Sequence, residues 1–446
     1  MDNLKLLLWN YFKFRYLYKF TSRDKLDKWK EKRIKEFLTA TIPRSEFYRN
    51  YYKGQAIEDW RRFPKTDKQI MMENFDRLNT LGIKKEEAFQ VAITAEKSRD
   101  FSPEVGNITV GLSSGTSGNR GVFLASPEER AIWAGAILAK TLPDGIIGNE
   151  RIAFFLRANS NLYQTIDSRR IRFRFFDLIT NIEAHVRELN IFQPTILVAP
   201  PLGLRMLAEA KDAGELKVNP QKVISVADVL ETLDRDYIAS RFGQVVHQIY
   251  QCTEGFLAVT CNHGTLHVNE DIVHIQKEYV DNASKRFVPV ITDFTRTTQP
   301  IIRYRLNDIL LEKSHCLCGS IFMAIDSIEG RADDVFYLRA KNGDGLNTVF
   351  PDFIRRAIIM TSAEIKDYKV DQVSLDSLEV YISVRQDCLK EGIRVSLLEN
   401  FARMFETLNC SVPRITFMTE VRQDNTKKLR RVERKFKDSF LERASL

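Results

Sequence analysis

VGLSSGTSGNRGVFLAS, Val110 to Ser126, sets four glycines among serines and threonines between two apolar flanks. Glycine lets consecutive backbone N–H groups turn toward one centre and hydroxyls add donors, so a loop of this make-up can wrap an anion such as phosphate. Ile108 to Leu112 reads as a short β-branched strand. Ser126-Pro127-Glu128-Glu129 has the S-x-x-E pattern of a capping box with proline at the first helical position, which predicts a helix through Lys140. The loop is thereby expected between a strand and a helix. It is not a Walker A loop, which needs G-x-x-x-x-G-K-[ST]; after Gly115 and Gly118 come Asn119, Arg120 and Gly121, with no lysine in the required place. Taken alone, the stretch also reads as an ordinary solvated Gly/Ser turn.

Outward from the loop, IAFFL, TILVA, VISVA and VVHQIY read as strands, separated by segments around Asn181 to Asn190, Leu202 to Ala213 and Glu231 to Phe242 with helical spacing and charge. Such alternation predicts α/β layers. The first hundred residues are expected to be mostly helical, and from about Leu257 to Leu311 short strands with turn signals predict an antiparallel or barrel-like addition. Beyond Arg331 the pattern resets: Leu378, Val380, Ile382 and Val384 alternate as a strand, Glu391 to Leu408 has helical periodicity, and Ile415 to Met418 is extended again. The expected organisation is a large α/β domain over residues 1–330, with a helical lead-in over 1–105, and a small α+β domain over 331–446. A short connection near Gly330 to Asp334 joins them.

A chain of 446 residues, 44% of them hydrophobic, can build a sizeable core and is not a disordered protein. Its net charge of +8 suits anionic ligands but is too modest for this length to argue nucleic acid. The segment LKLLLWNYFKFRYLYKF, Leu4 to Phe20, is interrupted by Lys5, Lys13, Arg15 and Lys19, so it is too broken for a signal sequence or a membrane span. It reads as an amphipathic helix that packs on the body of the protein or touches a membrane surface. Six cysteines, four of them clustered in mid-chain, fit a reducing cytoplasm with a metal site better than a disulfide framework.

Three further constellations carry chemistry. Tyr250-Gln251-Cys252-Thr253-Glu254 ends a strand with a hydroxyl and a carboxylate, where an open α/β sheet usually binds its ligand, and the carboxylate suits a nucleotide phosphate if Mg²⁺ lies between them. Thr292 to Leu310 places Arg303, Arg305 and Asp308 after a proline-bounded apolar step; Asp308 can accept from ribose hydroxyls, and the arginines can equally be salt-bridged on a strand. TKKLRRVERKF, from Thr426, carries Lys427, Lys428, Arg430 and Arg431, whose plainest reading is a solvated basic helix end.

In order along the chain these pieces resemble the adenylate-forming superfamily of acyl-CoA ligases, most nearly its phenylacetate-CoA ligase-like branch, including relatives that adenylylate a deazaflavin coenzyme. Ser113 to Gly118 is similar to the S-G-T-[ST]-G phosphate loop, Tyr250 to Glu254 to Y-G-x-T-E, Tyr304 to Asp308 to Y-R-x-x-D, Gly330 to Asp334 to the G-R-x-D-D hinge, and Lys427-Lys428-Leu429-Arg430-Arg431 to the terminal G-K-x-x-R. The resemblance implies that Ser113, Ser114, Gly115, Thr116, Ser117 and Gly118 bind the ATP phosphates, with Tyr250, Gln251 and Arg331 also at the nucleotide. It implies that Thr253 and Glu254 place phosphate and Mg²⁺, that Asp308 binds ribose, that Asp333 is the pivot, and that Lys427 is the mobile catalytic lysine. Lys428 precedes Arg431 with the same spacing, so both lysine registers stay open.

Thr426 replaces the usual glycine before that lysine, and Gln251 stands where glycine is common. In place of a Gly-rich acyl pocket the chain has FFLRANSNLYQTIDSRRIRF, polar and basic, which argues against phenylacetate itself and offers Asn159, Asn161 and Tyr163 to the substrate. Cys261-x5-His267 and Cys316-x-Cys318 supply three sulfurs and an imidazole, suited to a closed structural zinc site, with His263 and His315 as competing ligands. The reading is an ATP-dependent enzyme that forms an acyl-adenylate from a small aromatic or hydroxylated acid, for transfer to CoA, a carrier protein, an amine or a hydroxyl. No nucleic-acid partner is expected, and a homodimer is compatible with it. The alternatives are a nucleotidyltransferase placing AMP on a hydroxyl, a catalytically inactive binding relative, and a basic RNA-binding protein using its tail.

Overall fold

A computed structural model of the chain describes residues 3–98, 103–113, 120–156, 169–177, 182–281, 283–342, 345–362, 364–419 and 430–436. Ser114 to Gly118, Asn159, Asn161, Tyr163, Lys427 and Lys428 lie outside the described residues. The chain separates into two compact units, Met1–Leu306 with Leu310–Ser327, and Asn307–Ile309 with Ile328–Leu446.

The first unit begins with helices, as its charge and aromatic pattern leads one to expect: α1 (Asn3–Phe12), α2 (Arg23–Thr41), α3 (Glu46–Tyr51), α4 (Lys68–Glu73), α5 (Phe75–Leu78) and α6 (Lys85–Ser98). A three-stranded antiparallel sheet follows, of β1 (Glu104–Val105), β2 (Ile108–Leu112) and β3 (Val122–Ala125). The glycine-rich stretch therefore joins two strands of one hairpin, with Leu112 opposite Val122. This corrects the expected strand-to-helix placement. The four residues of β3 intervene before α7 (Pro127–Thr141), which opens on the predicted capping box: the Glu129 N–H donates to the Ser126 hydroxyl at 3.2 Å and the Ser126 N–H to the Glu129 carboxylate at 2.8 Å. A cap of this kind is worth about 1 kcal/mol.

Twelve strands form the main sheet. Its parallel half comprises β4 (Glu150–Leu156), β5 (Ile171–Asp177), β6 (Ile196–Ala199), β7 (Lys222–Ser225) and β8 (Val246–Cys252), with crossover helices α8 (Ile182–Phe192), α9 (Pro201–Asp212) and α10 (Thr232–Phe242). Side chains alternate across a strand, and β4 shows the result: Ile152 and Phe154 join α1 and α7 in one core, while Ala153 and Phe155 join α8, α9 and α10 in another. On its other edge β8 pairs antiparallel with β9 (Gly255–Thr260). The remaining strands are β10 (Leu266–Val268), β11 (Val273–Asp281), β12 (Arg286–Asp293), β13 (Ile301–Arg305), β14 (Asp308–Lys313) and β15 (Ala324–Arg331), an antiparallel set as predicted.

In the second unit a hairpin of β16 (Phe336–Arg339) and β17 (Leu346–Val349) precedes α11 (Pro351–Ile359), and a four-stranded sheet orders β20 (Arg414–Phe417), β19 (Ser377–Val384), β18 (Ile365–Ser374) and β21 (Val432–Arg434). Helix α12 (Lys390–Thr407) buries Leu397, Phe401 and Phe405. Over its described residues, 430–436, the basic segment near the end is not a solvated helix end. Val432 to Arg434 run as an edge strand parallel to β18, Arg431 is 3% exposed and donates to Asp367 at 2.8 Å, and Arg430 pairs with Asp334. Burial of the guanidinium groups is possible because each meets a carboxylate in a directional pair.

Candidate active site and metal centre

Strand β8 is where the parallel half of the sheet meets the antiparallel half, and a register shift between Tyr250 and Gln251 bends it there. The turn beyond it holds Thr253 and Glu254. The Thr253 hydroxyl donates to Glu254 Oε2 at 2.9 Å, and the Tyr304 hydroxyl donates to Glu254 Oε1 at 2.9 Å. Both carboxylate oxygens are thus fixed while keeping further lone pairs. Burial, then the adjacent Glu254 charge, pushes the Tyr304 hydroxyl far above its ordinary pKa, so it stays a donor at any physiological pH. Gln251 is oriented by the Trp133 indole, which donates to its side-chain carbonyl at 3.1 Å.

Glu254 and Thr253 line a narrow cleft with Lys68, Ser113, Gly121 and Gln299. Ser113 closes the base of the glycine-rich loop: its N–H donates to the Gly121 carbonyl at 2.8 Å, and its hydroxyl accepts from the Gly121 N–H at 2.7 Å and from Lys68 Nζ at 3.1 Å. Arg296 ties the two sides together, donating to the Thr253 carbonyl at 3.1 Å and to the Leu124 carbonyl of β3 at 3.0 Å. Gln299 donates to the Val122 carbonyl and accepts from the Leu124 N–H. Lys68, Arg296 and Gln299 escaped the sequence reading because each is a single polar residue far from the loop it serves. For Arg296 and Gln299 the local signal is the proline-bounded TRTTQP step, Thr295 to Pro300, which does not include Lys68.

Behind the cleft, Asp293 is fully buried, accepts from the Thr295 N–H and hydroxyl at 2.8 and 2.6 Å, and has its carboxyl pushed up to about 6 by burial. Among the predicted arginines, Arg305 is salt-bridged to Glu278 at 2.9 Å, whereas Arg303 adopts a left-handed backbone, φ 47°, at a register shift between β12 and β13. In the second unit Asp308 opens β14, and Asp333 accepts from the Asn307 amide at 2.6 Å.

At the far end of β9 the structure brings together the four residues singled out for metal. The ligand atoms of Cys261, His267, Cys316 and Cys318 all lie within 4.8 Å of one another. Cys261 Sγ is 3.6 Å from Cys316 Sγ, and Cys318 Sγ is 3.3 Å from His267 Nε2. A tetrahedral zinc with Zn–S of about 2.3 Å needs about 3.8 Å between sulfurs, so the spacing fits. Nδ1 of His267 donates to the Phe322 carbonyl at 3.1 Å, which leaves Nε2 as the ligating nitrogen. Two matching turns, Cys261-x-x-Gly264 and Cys316-x-x-Gly319, each return a glycine N–H to the cysteine carbonyl, at 3.0 and 3.2 Å, with glycine φ of 76° and 71°. That left-handed backbone selects glycine. The repeated C-x-x-G was a signal in the sequence for which sulfurs belong together. His263 and His315, the competing ligands, are outside the cluster.

No protein-family model matches the chain. Protein CapK of Staphylococcus aureus is 24% identical over 218 residues, 48% of this chain and 47% of its own length, so the match spans about half of that relative. Among solved structures, 2-hydroxyisobutyryl-CoA ligase in complex with R3-HIB-AMP aligns with TM-score 0.68 and 18% identity over 95% of this chain and 92% of that one. GH3.15 acyl acid amido synthetase aligns with TM-score 0.57 and 12% identity over 88% and 86%. The anthranilate CoA ligase AuaEII in complex with anthranoyl-AMP aligns with TM-score 0.52 and 13% identity over 76% and 67%. At such identities the likeness is one of architecture: the chain has the fold of the adenylate-forming (ANL) superfamily of ligases.

Proposed function

We propose that the chain is an ATP-dependent ligase that converts a small aromatic or hydroxylated carboxylic acid into an acyl-adenylate with release of pyrophosphate, then passes the acyl group to CoA, a carrier protein, an amine or a hydroxyl. The observation that carries this reading is the cleft itself. A carboxylate fixed by Thr253 and Tyr304 shares it with the Ser113 base of a glycine-rich loop and with the Lys68 ammonium. Loop donors with a cation on one wall and a braced carboxylate on the other suit a magnesium polyphosphate.

A carboxylate attacking the α-phosphorus brings two anions together. In this reading Ser113 to Gly118 hold the phosphates, Glu254 offers its remaining lone pairs to Mg²⁺, and Lys68 adds positive charge beside Ser113. Bound Mg²⁺ would neutralise charge as pyrophosphate leaves. Tyr250 and Gln251 border the nucleotide, Asp308 takes the ribose hydroxyls, and Asn159, Asn161 and Tyr163 contact the acid. Lys427, supplied by the second unit, meets the charge that develops at the phosphorus, and motion about Asp333 and Arg331 withdraws it so that the acceptor can enter. The cysteine and histidine set holds a structural zinc, since four protein ligands leave no position for substrate. The acid class agrees with the names of two fold neighbours, one a ligase of a hydroxy acid and one of an aromatic acid.

The test is isotope exchange between pyrophosphate and ATP over a panel of aromatic, hydroxy and fatty acids. Exchange that depends on one of the first two classes is expected. No exchange with any acid, together with AMP appearing on an alcohol or phenol, would replace this reading with hydroxyl adenylylation.

A further inference from the structure

Helix α1 and the π-helical turn Lys13–Leu17 that continues it are fixed on one side. Leu7, Tyr11 and Phe14 are buried in the core shared with α7. The backbones approach so closely that a Cβ on Gly135 would lie 2.7 Å from the Leu7 carbonyl oxygen and the Tyr11 nitrogen. Arg15 donates to the Ala139, Leu142 and Pro143 carbonyls at 2.9 to 3.1 Å, capping the end of α7. The element is thus a fixed part of the large unit.

Its other side is apolar and open. Leu4, Leu8, Phe12 and Tyr16 stand four residues apart on a ridge that flanks the buried face, with Trp9 beside it. These five and Leu17 are between 42% and 60% exposed. The rings of Trp9 and Phe12 stack at 6.4 Å, and those of Phe12 and Tyr16 meet at 5.3 Å, so these three rings form one continuous surface. Scattered exposed apolar residues need no explanation, but a contiguous stripe marks an interaction surface.

Charge decides what covers it. Residues 3–22 contain no aspartate or glutamate, while Lys5 on the helix and Lys19 just beyond the π-helical turn are exposed. A second copy packed face to face would set these cations against each other. Tryptophan and tyrosine settle at the headgroup level of a bilayer, lysine stems extend along apolar surface to reach anionic phosphates, and each exposed lysine adds to the attachment. We propose that this face docks in the plane of an anionic lipid surface. The inference is independent of the ligase reading.

The test uses the full chain with vesicles of phosphatidylcholine alone or enriched in phosphatidylglycerol. Co-sedimentation with the anionic vesicles should exceed that with neutral ones by about tenfold and weaken with added salt. Trp9 emission, obtained by difference against Trp9→Phe, should shift to the blue on binding. Leu8→Glu with Phe12→Glu should cut partitioning about tenfold. Lys5→Glu with Lys19→Glu should also reduce it, and this pair removes no apolar area, so it decides the matter if the first pair disturbs folding. Absence of vesicle binding, or binding that both pairs leave unchanged, overturns the proposal. A dimer in sedimentation velocity that the first pair dissolves would give the face to a second copy instead.

Discussion

Strand β9 has a polar cluster at each end, and the two are built to opposite plans. Glu254 stands just before it and Cys261 just after, about 20 Å apart for six residues of extended chain. At the Cys261 end, three thiols and an imidazole face one another within 4.8 Å. At the Glu254 end, the donors brace a single carboxylate and the remaining polar atoms face a cleft. A set whose members satisfy one another through a metal is closed and serves the fold. A set braced from behind and incomplete in front is open and serves a ligand. The distinction lies in geometry, since both regions are equally rich in polar residues.

The largest expected effect falls on the closed end. Cys316→Ser should reduce zinc from one per chain to none by elemental analysis and lower the unfolding free energy by several kcal/mol. A variant that keeps its stability without metal would erase the contrast. Next comes the lysine of the proposed function. Under that proposal Lys427→Ala should slow acid-dependent exchange about a thousandfold while ATP binding changes little, because the charge assigned to it exists only in the transition state. Lys428→Ala should stay close to wild type, and the reverse pattern would move the lysine register by one.

Asp293, behind the cleft, tests how far the bracing extends. Its folded pKa of about 6 lies above the ordinary 3.8, so ionisation costs the folded state: its contribution to stability is lost as pH rises from about 4 through about 6. Denaturant titrations of wild type and Asp293→Asn should agree below that window. They should diverge across it, with the variant more stable by up to about 3 kcal/mol, and run level above pH 7. A constant difference at all pH values would count against a buried, high-pKa carboxyl. The smallest effect is Tyr304→Phe, which removes one of two donors to Glu254 and should lower kcat/KM for exchange about tenfold. An unchanged value would mean that Thr253 alone holds the carboxylate.

Much of this arrangement was legible in the sequence, and the exceptions have physical reasons. The capping box at Ser126 and the strand–helix alternation of the parallel half were readable because both are local patterns. The cysteine set was readable because its spacing is chemical. The hairpin around the glycine-rich loop was missed because β3 is only four residues long and runs directly into the capping box of the next helix. The roles of Lys68, Arg296 and Gln299 were hidden because Ser113, Thr253 and β3 reach them only through the fold. The strand at Val432 was taken for a helix end because its partner β18 lies some sixty residues earlier, and basic residues alone do not reveal a buried edge.

The seam at β8 also bears on how the chain acquires its shape. On one side, each parallel pairing must wait for a crossover helix to form and return; on the other, β8 to β9, β9 to β10, β11 to β12 and β12 to β13 are successive hairpins closed by short loops. Short loops cost little closure entropy, so the antiparallel half can assemble first and offer the exposed edge of β8 as a template for β7 and its neighbours. Pulse-labelled amide exchange during refolding should find protection in residues 246–305 before 150–225, and a simultaneous rise would mean that the two halves nucleate as one.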